Sequence, residues 1–338
     1  MPTLYLTEPR ALVRLDGECL QIQVPHDRQS GREPRTIEVP LLKIDDVVIL
    51  GEVTLTASAV GALMERAITV CYLGAHGQYR GMLLPGPSRH AMLRIAQHRA
   101  HGDAAQRLAL ARRFVRGKLT NMRAMLLRQN RTLAADALVA AADALKRGVD
   151  ATDAVESVPS LLGVEGAASA AYFGVFGQLL RQPLGFGRRL RRPPPDPVNA
   201  LLSFAYALLT QKVIAAVQAA GLDPYIGYLH AAQYGRPAAA LDLMEEFRPI
   251  VADSVVLAAI NRGVVGADRF VTELGSCRLD DRGRRAFLEQ FEARLNQEIE
   301  HPVFGYRVTY RRCLELQARL LGKALLGETP AYVPFTVR

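Results

Sequence analysis

Cysteine is scarce in this sequence, with 4 residues among 338. The four lie far apart and form no Cys-x-x-Cys pair of the kind that zinc ribbons and thiol redox proteins use, so both classes are disfavoured. Isolated thiols suit a reducing compartment, and we therefore expect a cytoplasmic protein with free, buried cysteines. These cysteines are Cys19, Cys71, Cys277 and Cys313.

Long apolar runs are missing as well. The longest apolar-leaning run, residues 200–209, is too short to span a bilayer. The N-terminal segment, MPTLYLTEPR, lacks the basic region and the apolar region of a signal peptide. We therefore expect no signal peptide and no membrane partner.

Acidic residues are outnumbered by basic ones, 33 to 42, which gives a net charge of +9. Hydrophobic residues make up 49% and charged residues 22%, as is typical of a globular protein. The positive excess favours a polyanionic partner, with nucleic acid ahead of an anionic membrane. Solubility alone is the other explanation of this charge.

The apolar periodicity changes near residue 87, where a Pro-Gly-Pro run marks a boundary. Residues 1–87 show short β patterns and a hairpin signal at Asp16-Gly17, so they predict a small N-terminal β-sheet domain. Residues 88–338 show the period of 3.6 that is typical of helices and predict a larger all-α C-terminal domain. The predicted fold class is therefore α+β.

Three further predictions concern local structure, two of them helices. One helix of the β domain is expected at residues 58–67, capped by Ser58. Another is expected to run past Pro249, which would kink it, towards Arg262. Residues 266–281 are expected to form a polar connecting segment.

Residues 222–249 combine one histidine, His230, with three carboxylates on a predicted helix. The carboxylates are Asp242, Glu245 and Glu246. Their spacing of i, i+3 and i+4 puts them on one helical face, where like charges repel. A cation is the natural partner, either Arg248 or a divalent metal shared with His230. A solvated acidic face paired with arginines is the alternative.

A further carboxylate, Glu165, lies between two small residues, Gly163 and Gly166. We expect it in the first turn of a helix that runs to about Arg181. The helix dipole favours a carboxylate at that position, which is a structural explanation. The functional explanation is that the glycines leave space around the carboxylate for a metal or a substrate.

A basic loop, GFGRRLRR at residues 185–192, precedes three prolines and a helix that starts at Pro197. Guanidinium groups bind phosphate through two parallel hydrogen bonds, so the loop is a candidate DNA contact. A solvated loop is the alternative. The loop arginines are Arg188, Arg189, Arg191 and Arg192.

Six segments together resemble the family of CRISPR-associated endonucleases that integrate new spacers. They follow one another in the family's order between Leu4 and Phe335: LTEP, LLGVEGAASAAYF, RRPPPDPVNALLSFAYALL, GLDPYIGYLH, GRPAAALDLMEEFRP and YRRCLELQARLL. The resemblance implies an N-terminal β domain for dimerisation and partner contacts and a C-terminal helical catalytic domain. It also implies a homodimer that joins a second Cas protein on double-stranded DNA, namely protospacer and CRISPR repeat.

The resemblance also assigns a site. It implies that Glu165, His230 and Glu245 are catalytic and bind one divalent metal, with Asp242 as an auxiliary residue beside it. Arg236 and Arg248 match basic positions that are expected to contact DNA. Oxygen ligands with one imidazole suit Mg²⁺ or Mn²⁺. His230 could instead be a general base.

The activity that the resemblance implies is metal-dependent cleavage of DNA and insertion of protospacer DNA into a CRISPR array by attack of a 3′-hydroxyl. A second hypothesis is a non-catalytic DNA-binding assembly subunit of the same complex. A third is a metal-dependent hydrolase of small phosphoesters. The net charge of +9 and the lack of a compact nucleotide motif count against the third.

Overall fold

The structure is a computed structural model that describes residues 3–26, 33–74, 79–86, 90–182, 184–190, 193–273 and 275–337. The chain divides into two compact units, Met1–Pro87 and Ser88–Arg338.

Short strands build the first unit. They are β1 (Thr3–Leu6), β2 (Ala11–Asp16), β3 (Cys19–Val24), β4 (Arg35–Pro40), β5 (Asp46–Leu50), β6 (Val53–Leu55), β7 (Thr69–Leu73) and β8 (Tyr79–Leu83). Among the described residues they form two four-stranded sheets, in the orders β1-β5-β7-β8 and β4-β3-β2-β6. β5 is parallel to β1 and to β7, and β6 is parallel to β2, whereas the other neighbours are antiparallel.

The predicted hairpin between β2 and β3 is present, but its turn is shifted by one residue. Asp16 pairs with Cys19, so the central turn residues are Gly17 and Glu18. Gly17 has a φ of 54°, which a glycine adopts without steric cost.

Apolar residues of both sheets and of one helix, α1 (Ala57–Glu65), pack into the core of this unit. The cap of α1 is Thr56, whose Oγ1 accepts a hydrogen bond from the Ala59 amide at 3.4 Å. The predicted cap, Ser58, is therefore wrong by two residues.

The second unit is mostly helical, which confirms the α+β fold class. Its helices are α2 (Ala91–Gly102), α3 (Ala104–Leu133), α4 (Asp136–Ala151), α5 (Val158–Phe176), α6 (Pro197–Ala219), α7 (Ala238–Met244), α8 (Ser254–Asn261), α9 (Asp281–Leu295) and α10 (Tyr310–Leu325). Its strands are β9 (Phe270–Glu273), β10 (Ser276–Leu279), β11 (Glu298–Glu300) and β12 (Arg307–Thr309), paired as two antiparallel hairpins. The first hairpin lies within residues 266–281, which were predicted only as a polar segment. The two strands went unpredicted because β patterns of four residues give a weak periodic signal.

Helix α6 lies at the centre of the helical unit and packs against α7, α8 and α10. By length and composition it could cross a membrane, but 67% of its most apolar window is buried within the unit. This pattern is typical of a core helix in a globular protein.

The helix predicted to continue through Pro249 is interrupted. After α7 the chain forms a π-helical segment, Arg248–Asp253, before α8 begins. The Ser254 amide accordingly donates to the carbonyl of Pro249, five residues earlier. Pro249 has no amide hydrogen to bond the preceding turn, and the wider helix accommodates this loss.

Candidate functional site

The three carboxylates of residues 242–246 are all buried, so the solvated acidic face is excluded. The exposed fractions are 0% for Asp242, 3% for Glu245 and 0% for Glu246. Helix α7 is enclosed by the rest of the unit, since six of its seven residues are buried and Leu241 alone is half-buried. Each carboxylate must therefore find its partners inside the protein.

Asp242 organises the turn that ends at His230. Its carboxylate accepts hydrogen bonds from the amides of Tyr228 (2.5 Å), Leu229 (3.0 Å) and His230 (2.9 Å). The turn passes very close to α7, since a Cβ on Gly227 would lie 2.6 Å from the carbonyl carbon of Ala238. This close approach requires glycine at position 227.

Asp242 also orients the imidazole of His230. Oδ1 of Asp242 lies 2.7 Å from Nδ1, and since a carboxylate can only accept, Nδ1 carries the hydrogen. In the neutral ring Nε2 then has a free lone pair, and it lies 3.7 Å from Oε1 of Glu245. The histidine is thus fixed in the tautomer that a metal ligand or a general base requires.

Glu245 is surrounded by three basic groups. Its carboxylate lies 2.7 Å from Lys118 Nζ, 3.2 Å from Arg248 Nε and 3.7 Å from His230 Nε2. Burial by itself raises the pKa of Glu245, but Arg248, Lys118 and His230 outweigh burial and lower this pKa to about 2. Glu245 is therefore ionised over the physiological pH range.

Glu165 reaches the same place from α5, with its side chain 20% exposed. It forms an ion pair with Lys118 and accepts a hydrogen bond from Ser169 Oγ at 2.9 Å. The helix starts at Val158 after a Ser157 cap, so Glu165 lies two turns inside it. The first-turn placement and its helix-dipole explanation are therefore wrong.

The glycines beside Glu165 leave open space, as the functional explanation required. A Cβ at Gly163 or at Gly166 would have no neighbour within 4 Å.

Lys118 is the main site residue that the sequence analysis missed. Its side chain is 6% exposed and contacts both Glu165 and Glu245. The signal was a lysine at a core-facing position of α3, because the buried residues of that helix recur with helical spacing. They include Ala111, Phe114, Val115, Lys118 and Met122.

The oxygen and imidazole donors of Glu165, Glu245 and His230 are of the types that bind a hard divalent cation. Lys118 forms ion pairs with both glutamates. Within the described residues no three His, Cys, Asp or Glu side chains are close enough to hold a metal as they stand. Oε2 of Glu245 is buried, and within the described residues no donor is oriented to form a hydrogen bond with it. Its contact with Lys118 Nζ at 2.7 Å is an ion pair. Two carboxylates and one imidazole nitrogen fit Mg²⁺ or Mn²⁺ at this place.

Arg248 lies against Glu245 and not on the surface, because its side chain is 10% exposed. Its guanidinium also lies 4.7 Å from the ring centroid of Tyr206. Arg248 was predicted either to neutralise the carboxylates or to contact DNA. Its distance to Glu245 favours the first function, and its burial leaves little surface for the second.

A buried Asp253 lies behind this pair and was not predicted. It accepts hydrogen bonds from Tyr172 (3.0 Å) and Tyr206 (2.6 Å). Burial raises the pKa of Asp253 to about 6, and the two tyrosines and Arg248 oppose this rise. Since Tyr206 also contacts Arg248, this network helps to position the arginine beside Glu245.

Glu246 faces away from the other two carboxylates and holds the C-terminal segment. It accepts hydrogen bonds from Tyr332 (2.8 Å), the Phe335 amide (2.7 Å) and Gln317 (3.1 Å). Burial raises the pKa of Glu246 to about 8. The three carboxylates predicted to share one face therefore differ in function. Asp242 and Glu245 belong to the candidate site, whereas Glu246 stabilises the C-terminal segment.

The remaining predicted DNA contacts differ in exposure. Arg188 is exposed, whereas Arg189 is half-buried and donates to Asn199 Oδ1 (2.9 Å) and Ser203 Oγ (3.2 Å). Arg236 is half-buried next to an exposed loop. Arg191 and Arg192 lie outside the described residues. Arg188 is thus the described loop arginine best exposed to a ligand.

Comparison with known proteins identifies related sequences. The family described as CRISPR associated protein Cas1 matches residues 4–293. A CRISPR-associated endonuclease Cas1 of Thermus thermophilus is 40% identical over 335 residues, covering 99% of this chain and 97% of that protein. A Cas4 exonuclease/Cas1 endonuclease fusion of Geobacter sulfurreducens is 41% identical; the chain spans 60% of its length, and 99% of the chain is covered.

Solved structures agree with these relatives. A casposase bound to integration product has a TM-score of 0.88 and 25% identity, covering 98% of this chain and 93% of that chain. A CAS1 protein from Thermotoga maritima shares the fold, with a TM-score of 0.82, 24% identity and 99% coverage of both chains. A Cas6-RT-Cas1–Cas2 complex has a TM-score of 0.77 and 26% identity, covering 98% of this chain and 36% of that chain.

Proposed function

The chain belongs to the CRISPR-associated Cas1 family, and from this premise we propose that it is a divalent-metal-dependent DNA endonuclease and integrase. It inserts protospacer DNA into a CRISPR array during spacer acquisition, a cytoplasmic process of antiviral defence. The observation that carries this proposal is the cluster of His230, Glu245 and Glu165, with His230 Nε2 3.7 Å from Glu245 and both glutamates in contact with Lys118. The casposase bound to integration product, a structural neighbour, supports the same chemistry.

The reaction is a transesterification. A protospacer 3′-hydroxyl attacks a phosphodiester at the end of the repeat, a new phosphorus–oxygen bond forms, and the repeat strand leaves with its own 3′-hydroxyl. Bound Mg²⁺ or Mn²⁺ would polarise the phosphodiester and promote ionisation of the attacking hydroxyl. Water as the nucleophile gives endonuclease activity at the same residues.

The residues of this chain have distinct functions in the proposal. Glu165, Glu245 and His230 Nε2 are the metal ligands, and Asp242 holds the imidazole in the required tautomer. Lys118 and Arg248 keep Glu245 ionised in its buried position. With a phosphodiester bound beside Glu245, their charges would also offset the negative charge that develops on the phosphoryl oxygens.

The proposed partners are double-stranded DNA, a second copy of the chain and the second Cas protein of spacer acquisition. The Cas1–Cas2 assembly among the structural neighbours supports the Cas partner. Residues 1–87 would provide dimerisation and partner contacts, and residues 88–338 the catalytic unit. The positive charge supports this division, because residues 1–87 hold 8 Lys and Arg against 10 Asp and Glu, whereas residues 88–338 hold 34 against 23.

The test is strand transfer of a labelled short duplex into a supercoiled plasmid that carries a CRISPR repeat. Wild type and His230→Ala are compared with Mn²⁺, with Mg²⁺ and with EDTA, in the presence and absence of the second Cas protein. We expect joining that requires metal and is lost in the variant. If the duplex binds but is never joined, the chain is a DNA-binding assembly subunit without catalytic activity.

A further inference from the structure

A second charged site lies in the helical unit, outside the cluster around Glu245. A cavity of about 740 Å³ lies between α3, α8, α9, the β11–β12 hairpin and the C-terminal segment. None of Glu165, His230 and Glu245 lines it. Its volume is in the range of small-molecule and nucleotide sites.

The charged residues of the cavity are unbalanced. Three arginines and one glutamate line it, namely Arg128, Arg262, Arg294 and Glu300. None of the three arginines forms an ion pair with a carboxylate in the part of the chain that the structure describes. Unpaired guanidinium groups around one cavity repel each other, and an anionic ligand would remove that repulsion.

Arg294 is the arginine of the cavity whose position is fixed by contacts with the protein. It donates to the Ile250 carbonyl at 2.8 Å and lies 4.5 Å from the ring centroid of Tyr310. Burial lowers the pKa of Arg294, Tyr310 opposes this shift, and the proximity of Arg128 adds to it. Arg128 and Arg262 are exposed, so the positive charge is accessible from solvent.

The hairpin that forms one wall of the cavity presents aromatic rings. Phe304 and Tyr306 lie in and beside its turn, are 42% and 48% exposed, and stack with ring centroids 5.6 Å apart at 22°. Pro302 and Glu300, two and four residues before Phe304, line the cavity itself. Together with Val303, which is 40% exposed, the stacked pair gives the hairpin an exposed apolar surface of the kind that marks interaction sites.

From this combination we infer that the cavity and the hairpin bind a single-stranded segment of nucleic acid. The exposed Arg128 and Arg262 contact backbone phosphates, Arg294 adds positive charge beside them, and Phe304 and Tyr306 stack on unpaired bases. A duplex hides its base faces and does not fit into a cavity of about 740 Å³. An acidic protein segment would also pair with the guanidinium groups, but nucleic acid combines phosphates with flat bases that stack on exposed rings. The inference extends the proposed function, yet it concerns a different surface and needs no metal.

The contribution of the cavity arginines is tested by measuring the affinity of the full chain for a labelled oligothymidylate of about 12 nucleotides. Affinity is measured by fluorescence anisotropy in EDTA. Arg128→Glu/Arg262→Glu is compared with Arg147→Glu/Arg319→Glu, which reverses two exposed arginines outside the cavity. We expect a loss of affinity of about tenfold or more for the cavity pair and less than about twofold for the control, with a smaller salt dependence for the cavity pair. Equal losses in both pairs, or none in either, would overturn the inference.

Stacking is tested with an oligonucleotide that contains 2-aminopurine, whose fluorescence falls when the base stacks. We expect quenching by wild type and by Phe304→Tyr/Tyr306→Phe, and its loss in Phe304→Leu/Tyr306→Leu, which keeps apolar volume without rings. Circular dichroism verifies the fold of each variant, and Phe304→Leu alone replaces the pair if the pair does not fold. Unchanged quenching contradicts the inference. Weaker binding of the second Cas protein by the leucine pair, with normal binding of single strands, would identify a protein-docking surface instead.

Both experiments measure binding in the absence of metal. A failure of strand transfer would therefore contradict the proposed function without affecting the inference about the cavity. Equally, loss of single-strand binding at the cavity leaves the test of His230→Ala unaffected.

Discussion

At the scale of single residues, the candidate site is a set of buried charges that neutralise one another by contact. Lys118 is 6% exposed on its side chain and bridges glutamates from α5 and from the segment after α7. In such a group, removal of one partner leaves an uncompensated buried charge, which costs more than the pair contributes. Lys118 should therefore stabilise the metal-free protein strongly.

We expect Lys118→Met to lower the free energy of unfolding by on the order of 3 kcal/mol in EDTA, because Glu165 then loses the cation it contacts and Glu245 keeps Arg248 as its counter-ion. Urea denaturation measures this, with Lys146→Met on an exposed position of α4 as the matched control. Mn²⁺ should raise the melting temperature of Lys118→Met more than that of wild type. Equal stability of Lys118→Met and wild type would contradict the role of Lys118 as a counter-ion.

Glu246 gives a prediction that depends on pH. Its pKa is raised from 4.5 to about 8, so the folded state retains a proton that the unfolded state has lost between these values. Stability from this group is complete below about pH 4.5 and is lost as the pH rises through 8. Glu246→Gln cannot ionise and should gain stability relative to wild type over that window.

The expected gain of Glu246→Gln relative to wild type between pH 5 and pH 9 is on the order of 3 kcal/mol. Denaturant unfolding at both pH values measures it. The ionisation of Asp253, whose pKa is about 6, is present in both proteins and cancels in the difference. Parallel stability curves for the two proteins would show that Glu246 does not titrate in this range.

Much of the site was predictable at this scale, and the exceptions have a physical reason. The spacing of residues 242–246 indicated a cation beside carboxylates, and the structure has Arg248 and Lys118 there. Local spacing cannot show that Glu246 bonds Tyr332, or that Lys118 reaches Glu165, because these contacts join distant parts of the chain. Assignment of metal ligands to Glu165, His230 and Glu245 stays a prediction.

At the scale of secondary structure, one helix start was predictable from the sequence and others were not. The start of α6 at Pro197 was predicted, whereas the start of α5, the cap of α1 and the π-helical segment depend on local hydrogen bonds and on packing. The two hairpins of the helical unit have strands of three or four residues, too short for periodicity to detect.

Helix α5 offers a test of access to Glu165. Gly166 is exposed, and a Cβ there meets nothing within 4 Å, so Gly166→Leu should keep or improve stability by about 0.5–1 kcal/mol. If DNA approaches Glu165 across this surface, the leucine should reduce strand transfer by about tenfold or more.

Gly174→Leu is the control for Gly166→Leu. Gly174 is also exposed on α5, about two turns further along, and its Cβ would likewise have no neighbour within 4 Å. Thermal melting and strand-transfer rates are measured on both variants. Equal rates in both would mean that DNA does not approach Glu165 from the side of Gly166.

At the scale of the whole molecule, the charge is divided between the two units. Residues 1–87 have a net charge of −2 and residues 88–338 a net charge of +11, so all of the positive excess lies in the helical unit. Counter-ion release at phosphates is driven by clustered Lys and Arg, and the helical unit should therefore dominate binding to duplex DNA.

Two charge reversals that produce the same net charge separate local contact from global charge. Arg188→Glu changes an exposed arginine of the basic loop, whereas Arg14→Glu changes an exposed arginine on β2. We expect Arg188→Glu to weaken duplex binding by about fivefold or more and to reduce the slope of log K against log salt by about 1. Arg14→Glu should change affinity by less than about twofold, because its surroundings carry no positive excess. If both variants lose affinity equally, long-range attraction to net charge explains binding, and the loop at residues 185–192 is a solvated connection rather than a DNA contact.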